Sequence, residues 1–412
     1  MAYGKNVFIL GAGASAGAGA PVLNNFLKKA RELLENVNSG LTSEQRKAFR
    51  EVFEWRSQKT QALRYMKIDL DNIEELFSLV DMAQQLGDEV AGEMVDNLIN
   101  LVSCTLELSV EFDFDPALGM EHGRDIGSTS NDLTYRSFVE VLEKWSGSRD
   151  LIATEKDSFI TLNYDTIFDR ILLSMGRGFT YSHPEWHSPE MDADSHKLLK
   201  LHGSTNWGRC RECGYKKIET RFFYHGGRVT GVEKITMDPA RTLYQTECSQ
   251  CQESALRPFI VPPTWNKASY SEDLVPIWRT AREELAKAAR LFIVGYSLPR
   301  TDSFFKYLLA LGLSENDSLQ EIILIDPAEG DVGESLKGRY LEFIAPFFDT
   351  NSFTFWDVPF HVGAKALEYR FIDGDSGDDA LEKAVDSCTR NGNYSYYKRY
   401  AKHGRWDFRP LC

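Results

Sequence analysis

Two pairs of cysteines stand out because of their spacing. Cys210 and Cys213 form one CxxC pair, and Cys248 and Cys251 form a second one further along the chain. Each pair can supply two thiolates from one tight turn, and four thiolates complete the tetrahedral shell that Zn²⁺ prefers. A shell closed by four protein ligands leaves no position for a reacting water. The spacing therefore predicts a structural zinc ion in a small module that spans residues 207–258.

Polar side chains follow two short apolar runs in the middle of the chain. The run at 158–162 ends in Asn163 and Asp165, and the run at 198–201 ends in His202. An Asn amide can hold a ligand or a water because it both donates and accepts, and a His can act as a general base near neutral pH. The alternatives are a turn at Asn163 and Asp165 and a purely structural role for His202. The residue types alone leave both alternatives open.

The elements that would position these side chains begin near the start of the chain. The apolar run at 7–10 is typical of a strand buried on both faces of a parallel sheet, and Gly11, Gly13 and Ser15 follow it directly. A glycine-rich turn between a strand and a helix lets the backbone approach a ligand closely and favours bound phosphate. A turn of this kind without any ligand is the alternative.

The ordinary dinucleotide-binding fingerprint needs a second strand soon after this turn, with an acidic residue about twenty positions on. Here a helical pattern covers 23–36, and the next strand-like run begins near residue 158. The plain dehydrogenase pattern is therefore not met.

Two later apolar runs repeat the same design. The run at 291–294 ends in Gly295 and Ser297, and the run at 321–325 ends in Asp326, whose carboxylate can accept hydrogen bonds from ribose hydroxyls. Strand ends of this kind, separated by helices, predict an α/β fold with a doubly wound, Rossmann-like parallel sheet. We expect residues 1–30 and 151–330 to form this domain.

Two further regions flank or interrupt the sheet in sequence. Residues 31–150 show apolar positions at helical spacing and are expected to form a helical insertion. Residues 331–412 are expected to form a C-terminal packing or oligomerisation arm. Its segment 390–409 mixes basic and aromatic residues, which suits either packing or contact with nucleic acid. The net charge of −14 favours packing.

Composition places the chain among ordinary globular proteins. It has 412 residues, of which 42% are hydrophobic, enough for a sizeable core. The sequence shows no signal peptide and no run long enough to span a bilayer, so a cytoplasmic protein without membrane attachment is expected. In that compartment its seven cysteines indicate metal ligands or reduced thiols.

Taken in chain order, the motifs described above resemble the sirtuin superfamily over residues 6–327, with the helical segment 31–150 inserted. The matching stretches are Gly11-Ala-Gly-Ala-Ser15 with Gly19-Ala-Pro21, Thr161-Leu-Asn163-Tyr-Asp165, Leu201-His202-Gly203, the two CxxC pairs, Gly295-Tyr-Ser297-Leu and Ile325-Asp326. The resemblance implies a sirtuin-type fold that binds NAD⁺ and cleaves its nicotinamide–ribose bond.

Residue roles carry over from the resemblance by position. It implies that Asn163 and Asp165 lie at the nicotinamide pocket, with His202 beside the nicotinamide ribose. The remaining residues implied to bind NAD⁺ are Gly11, Ala12, Gly13, Ser15 and Pro21 on the pyrophosphate side and Gly295, Ser297 and Asp326 on the adenosine side. Asn163 and His202 are the implied catalytic residues.

Two departures from the family pattern bear on the substrate. Protein-deacylating sirtuins carry Asp-Phe-Arg where this chain has Val22-Leu23-Asn24, and Pro262 and Pro263 interrupt the strand that would pair with an acylated peptide. These departures argue against a protein-substrate groove, and with its large helical insertion the chain resembles the bacterial sirtuin-like NAD⁺ hydrolases of antiphage defence. That likeness implies release of nicotinamide and ADP-ribose, a homo-oligomer and a companion ATPase. The alternatives are a protein deacylase and a non-hydrolytic NAD or ADP-ribose sensor.

Overall fold

The computed structural model describes residues 4–390 with gaps. The gaps are 64–65, 67, 115–132, 149–155, 176, 185, 187–195, 220–227, 230–231, 237–242, 245, 254, 262–271 and 300–301. Residues 117–131, whose glycines and small polar residues predict an exposed loop, lie outside the described residues, as do Pro262, Pro263 and the tail at 391–412.

A seven-stranded sheet forms the centre of the molecule. Its strands are β1 (Lys5–Leu10), β3 (Ser158–Thr161), β4 (Phe179–Thr180), β5 (His196–Lys200), β11 (Ala288–Val294), β12 (Glu321–Ile325) and β13 (Phe353–Trp356). Their spatial order is β13-β12-β11-β1-β3-β5-β4, and each neighbouring pair is parallel. Apart from the short edge strand β4, the chain thus winds outward from β1 twice, once on each side. The predicted doubly wound parallel sheet is confirmed.

Helices flank this sheet and share its core. They are α1 (Ala12–Ala16), α6 (Leu133–Ser148), α7 (Ile167–Ser174), α8 (Val275–Ala286), α9 (Ser303–Leu313), α10 (Gly330–Ile344), α11 (Phe360–Glu368) and α12 (Gly377–Arg390). Aromatic rings join the layers: Phe8 in β1 stacks on Phe292 in β11 at 4.7 Å between ring centroids, and Phe138 in α6 meets Phe8 edge-on at 5.2 Å. Contacts of this geometry add to the hydrophobic stabilisation from burial.

Four further helices form a second core. They are α2 (Phe26–Glu35), α3 (Ser43–Leu63), α4 (Ile73–Gln85) and α5 (Glu89–Ser109). In α4 the residues Ile73, Leu76, Phe77 and Val80 are all buried, as their helical spacing predicts. The helix α6 lies within the sequence range assigned to the insertion, yet it packs in the core of the parallel sheet. The helical unit proper thus draws its core from residues 26–108, together with Ile260.

Two small antiparallel sheets complete the described fold. The first has the order β10-β6-β7 and contains β6 (Gly203–Arg209), β7 (Lys216–Ile218) and β10 (Arg257–Ile260). The second contains β2 (Glu111–Phe114), β8 (Arg228–Val229) and β9 (Val232–Thr236). The cysteine pairs border the first sheet, because Cys210 directly follows β6.

The C-terminal region contributes to the sheet. Strand β13 pairs with β12, so the sheet extends beyond residue 330, and α11 packs against α6. The stretch at 373–379 is rich in Asp and Gly, which predicts a solvated acidic loop. It is only partly a loop, because α12 begins at Gly377 and includes Asp378 and Asp379 in its first turn. Acidic residues are favoured there by the helix dipole. Among the helices that the structure describes, none has the length and apolar character needed to cross a bilayer.

Candidate functional site

The glycine-rich segment lies where the winding direction of the sheet reverses, between β1 and β11. Helix α1 begins at Ala12, immediately after β1, so Gly13 and Ser15 belong to that helix rather than to a turn that precedes it. Gly11 donates its N–H to the carbonyl of Val294, and Gly13 donates to the carbonyl of Gly295, each at 2.9 Å. In open α/β sheets the crevice at such a reversal is the usual place for a ligand.

The missing side chains of these glycines make room for neighbouring protein backbone. A Cβ on Gly11 would lie 2.5 Å from the carbonyl oxygen of Gly295, and a Cβ on Gly13 would lie 2.7 Å from the Gly295 Cα. Gly295 itself has φ +60°, a conformation that favours glycine. The absence of a Cβ at these positions thus has a structural reason within the chain, besides the close approach to a ligand predicted from the sequence. The glycines allow the loops after β1 and β11 to pack together.

Asn163 is anchored to the same segment through its side-chain amide. Its Nδ2 donates to the Gly11 carbonyl at 2.9 Å and to the Ser15 Oγ at 3.1 Å, and the side chain is partly exposed. Strand β3 ends at Thr161, so Asn163 and Asp165 lie in the loop that leads to α7. The turn that these residue types allow is therefore observed, and it lies at the edge of the sheet where the sequence predicts the ligand site.

Asp165 lies in the same loop and is buried. One of its carboxylate oxygens accepts a hydrogen bond from the N–H of Ile167 at 3.1 Å and so caps the start of α7. Burial raises the pKa of Asp165 above its ordinary value, while the positive charge of Lys200 and hydrogen bonds from Ile167 and Ser15 lower it. The carboxyl therefore gains a proton more readily than an exposed aspartate does.

Tyr135 completes this cluster and was not predicted from the sequence. It lies on α6, is 1% exposed, and its hydroxyl is 3.1 Å from the Ser15 Oγ. Burial raises the pKa of Tyr135, and the charge of Asp165 raises it further, so the hydroxyl stays protonated. The only sequence signal for this residue was the apolar spacing of α6, which indicates a core position but no polar partner.

His202 follows β5 at the next position along the same edge of the sheet. It is 7% exposed, and its backbone carbonyl accepts the N–H of Val261 at 2.7 Å. The two loops are linked, because the N–H of Thr205 donates to the Tyr164 carbonyl at 3.0 Å. His202 lines a small apolar cleft of about 60 Å³ together with Leu201, Val261, Leu274, Val275, Trp278 and Phe304.

A buried ion pair between Lys200 and Asp169 lies next to the loop that contains Asp165. The Lys200 ammonium donates to the backbone carbonyl of Asp165 and lies 3.1 Å from the Asp169 carboxylate, to which the Tyr181 hydroxyl also donates. Lys200 and Asp169 are almost completely buried, so each requires the other as a compensating charge. Sequence reasoning missed this pair because it joins residues on separate elements.

The loops after β11 and β12 lie on the other side of Gly11 and Gly13. Ser297 is exposed, and its carbonyl accepts a hydrogen bond from Arg339 at 2.9 Å. Asp326 accepts the N–H of Ala328 at 3.0 Å, and burial raises the pKa of its carboxyl. Gly295 connects both loops to the centre because its N–H donates to the Ile325 carbonyl.

The predicted site residues differ in how directly they contact the glycine segment at residues 11–15. Hydrogen bonds join Gly11, Ser15 and Asn163 directly, and the pKa of Asp165 responds to Ser15. Ala12 is exposed at the start of α1. Pro21 is buried in the connection between α1 and α2, and within the described part of the chain no hydrogen bond ties it to this cluster.

The four cysteines form a compact cluster away from this edge. Their sulfur atoms all lie within 4.8 Å of one another, with Cys210 and Cys251 3.6 Å apart and Cys213 and Cys248 3.5 Å apart. Four thiolates at Zn–S distances near 2.3 Å would be about 3.8 Å apart, so the set suits a tetrahedral zinc ion. The donor set and its spacing therefore fit the predicted structural site.

Comparison with known proteins gave matches among solved structures alone. No protein-family model matches the chain, and no curated protein matches it. One similar structure is Sir2 in complex with the inhibitor EX-527, 2'-O-acetyl-ADP-ribose and a deacetylated p53 peptide, with 14% identity, TM-score 0.36 and coverage of 90% of this chain and 95% of that one.

Two further structures match at the same level. A mutant Sir2 homologue in complex with 2'-O-acetyl-ADP-ribose has 14% identity and TM-score 0.37, and it covers 90% of this chain and 92% of that one. A third structure, which concerns the structural basis of sirtuin substrate affinity, has 13% identity and TM-score 0.36. The match covers 90% of this chain and 94% of that one. All three of these solved structures are of Sir2 or sirtuin proteins.

Proposed function

We propose that the chain is an NAD⁺ hydrolase that cleaves the nicotinamide–ribose bond and releases nicotinamide and ADP-ribose. One observation carries the proposal. The amide of Asn163 is bonded to the glycine segment at the reversal point of the sheet, and His202 lies at the end of the adjacent strand. The crevice at such a reversal is the usual ligand position, and the sequence resemblance implies that the nicotinamide lies at Asn163 and its ribose beside His202.

The chemistry required is modest and suits these residues. Departure of nicotinamide leaves an oxocarbenium-like ribose, and fixed dipoles near that centre lower the barrier. With both amide hydrogens of Asn163 donated to Gly11 and Ser15, its Oδ1 can accept a hydrogen bond from the attacking water or a ribose hydroxyl. His202 would act as the general base for the same water or hydroxyl.

Asp165 would orient the leaving group. A protonated or partly protonated carboxyl, favoured by burial, both donates and accepts, so it can pair with the carboxamide of nicotinamide. The adenosine half would extend towards Gly295, Ser297 and Asp326. The partly exposed carboxylate of Asp326 suits a ribose hydroxyl.

Water rather than an acylated peptide is the proposed acceptor. Both backbone polar groups of Val261 are engaged within the chain, since its N–H donates to His202 and its carbonyl accepts the Tyr164 hydroxyl at 2.7 Å. A peptide that adds as a strand needs such groups to be open. The engaged backbone therefore favours hydrolysis over protein deacylation.

The cellular part of the proposal follows from the sequence resemblance. It is that the enzyme acts as an effector of antiphage defence, assembles as a homo-oligomer, and is activated by a trigger or a companion ATPase. A soluble NAD⁺ hydrolase that was always active would deplete its own cell, which is why a resting state is part of the proposal. Light scattering run alongside NAD⁺ consumption tests this part.

The reaction type is tested by product analysis with and without an acetylated peptide. Purified protein at high concentration is incubated with NAD⁺, and nicotinamide and its co-product are quantified by mass spectrometry. We expect ADP-ribose in equal amount to nicotinamide, independent of peptide. Release that depends on the peptide and yields O-acetyl-ADP-ribose would indicate a deacylase, and binding without release would indicate a sensor.

A further inference from the structure

Tyr135 lies beside the proposed catalytic residue although it comes from a distant part of the chain. We propose that Tyr135 is a positioning residue that, acting through Ser15, holds the amide of Asn163 in one orientation. The inference deepens the proposed function and rests on it. It assigns a role in the site to helix α6 (Leu133–Ser148).

The orientation of the Asn163 amide follows from its partners. The Gly11 carbonyl can only accept hydrogen bonds, so the atom of Asn163 that lies 2.9 Å from it must be the nitrogen. The second hydrogen of that nitrogen points to the Ser15 Oγ at 3.1 Å. The side-chain oxygen is thereby directed to the opposite side, where a ligand or water can meet it.

Gly11 fixes one hydrogen firmly because its carbonyl belongs to the backbone. The second bond depends on a hydroxyl that rotates, since a Ser Oγ can donate or accept in several directions. Tyr135 removes that freedom, because its own hydroxyl lies 3.1 Å from the Ser15 Oγ on the side of α6. The Ser15 hydroxyl then has fixed neighbours in Asn163 and Tyr135, and it also interacts with Asp165.

The ring of Tyr135 is itself held in place. Its centroid lies 5.1 Å from that of Phe168 on α7 and 5.5 Å from that of Phe360 on α11, the latter edge-on. A ring packed in this way has little rotational freedom, so its hydroxyl is a rigid reference point. Through Phe360 the C-terminal helices also support the site.

The test removes only the hydroxyl, by Tyr135→Phe. The matched control is Ser158→Ala, which also deletes a buried hydroxyl. The Ser158 hydroxyl donates to Glu284 at 2.6 Å and lies at the start of β3, whereas Asn163 follows the end of that strand. We expect both variants to fold, because Tyr135→Phe retains the aromatic ring and Ser158→Ala removes a single oxygen atom. Near-ultraviolet circular dichroism of each variant checks this.

The first readout does not depend on turnover. Protein labelled with ¹⁵N-asparagine reports the side-chain NH₂ of Asn163 by NMR, assigned by its absence in Asn163→Ala. We expect Tyr135→Phe to shift these signals and to speed their exchange with water, while Ser158→Ala leaves them unchanged. Signals of Asn163 that are identical in wild type and Tyr135→Phe would overturn the inference, whether or not the protein cleaves NAD⁺.

The second readout is kinetic and applies once wild-type cleavage is measured. A misplaced catalytic group costs roughly 10- to 100-fold in rate, so we expect a loss of that size in kcat for Tyr135→Phe, with little change in KM. An unchanged kcat would also overturn the inference. Absence of cleavage by wild type would instead contradict the proposed function, and the NMR readout would still decide on Tyr135.

Discussion

Gly13 and Gly295 pack backbone against backbone where the winding of the sheet reverses. The N–H of Gly13 donates to the Gly295 carbonyl at 2.9 Å, and a Cβ on Gly295 would lie 2.5 Å from the Gly13 Cα. Real Cβ atoms do not approach backbone this closely. The two loops that would hold a dinucleotide are therefore fixed against each other before any ligand binds.

Gly295→Ala should destabilise the protein and reduce NAD⁺ cleavage. The new methyl group would clash with the backbone of Gly13 and Ala14, and the φ of +60° adds about 1–2 kcal/mol for any residue with a Cβ. The control is Gly87→Ala, which has φ +87° but nothing within 4 Å of the added atom. Urea unfolding should show a larger loss for Gly295→Ala, and equal losses would contradict the packing account.

Zinc should be bound in about one equivalent per chain and should be needed for folding. Cys210→Ser and Cys248→Ser each remove one thiolate of the cluster, so we expect loss of metal and of soluble, folded protein. Cys388→Ser, a partly buried thiol outside the cluster, is the control and should keep its zinc. Elemental analysis with thermal melting measures both effects. Full metal content in the two cluster variants would refute the site.

The two cysteine knuckles differ at the residue after the second cysteine. Gly214 has φ +74° and Gln252 has φ +61°, so the same left-handed turn is made by glycine in one knuckle and by glutamine in the other. Because a side chain is disfavoured in this region, Gln252→Gly should raise the free energy of unfolding by about 0.5–1 kcal/mol. Gly214→Ala should lower it by a similar amount. Thermal unfolding in the presence of zinc compares the two, and a destabilised Gln252→Gly would contradict the conformational assignment.

Asp165→Asn should stabilise the folded protein at neutral pH while reducing activity. Burial raises the folded-state pKa of Asp165 above its ordinary value of 3.8, so ionisation of this carboxyl opposes folding. Because the pKa of this acid is raised in the folded state, Asp165 contributes its full stability to the wild-type fold only below pH 3.8. That contribution is lost as the pH rises through the folded-state pKa. The stability gain of the variant should therefore grow with pH and then level off.

The asparagine oxygen of this variant can still accept the N–H of Ile167, so the cap of α7 is retained. Chemical unfolding at several pH values measures the difference between Asp165→Asn and wild type. A variant that is less stable than wild type at pH 7, or a difference that does not change with pH, would show that burial does not govern this carboxyl.

Local patterns in the sequence predicted the strand ends and the four-cysteine cluster well. Each CxxC pair sets two thiolates within one turn, and the apolar runs before Gly11, Asn163 and His202 do form strands of the parallel sheet. These features depend on short stretches of chain, whose periodicity and turn chemistry are visible in the residues themselves.

The features that were missed depend on distant partners. Tyr135 and Ser15 are 120 residues apart, and Lys200 and Asp169 meet across two elements, so no spacing rule relates them. The role of Gly11 and Gly13 in packing against Gly295 was likewise hidden, since a glycine-rich turn looks the same whether backbone or phosphate occupies the space. The strand at Phe353–Trp356 joined the sheet although it lies outside the ranges 1–30 and 151–330 predicted for that domain.

The most direct test of the account is nicotinamide release by wild type and by Asn163→Ala under identical conditions. Mass spectrometry should detect equal amounts of nicotinamide and ADP-ribose from wild type. Asn163→Ala should keep the wild-type melting profile and lose at least about 100-fold in rate, because it removes the amide fixed by Gly11 and Ser15. Asn163→Ala that cleaves NAD⁺ at the wild-type rate, or wild type that releases no nicotinamide, would contradict the account.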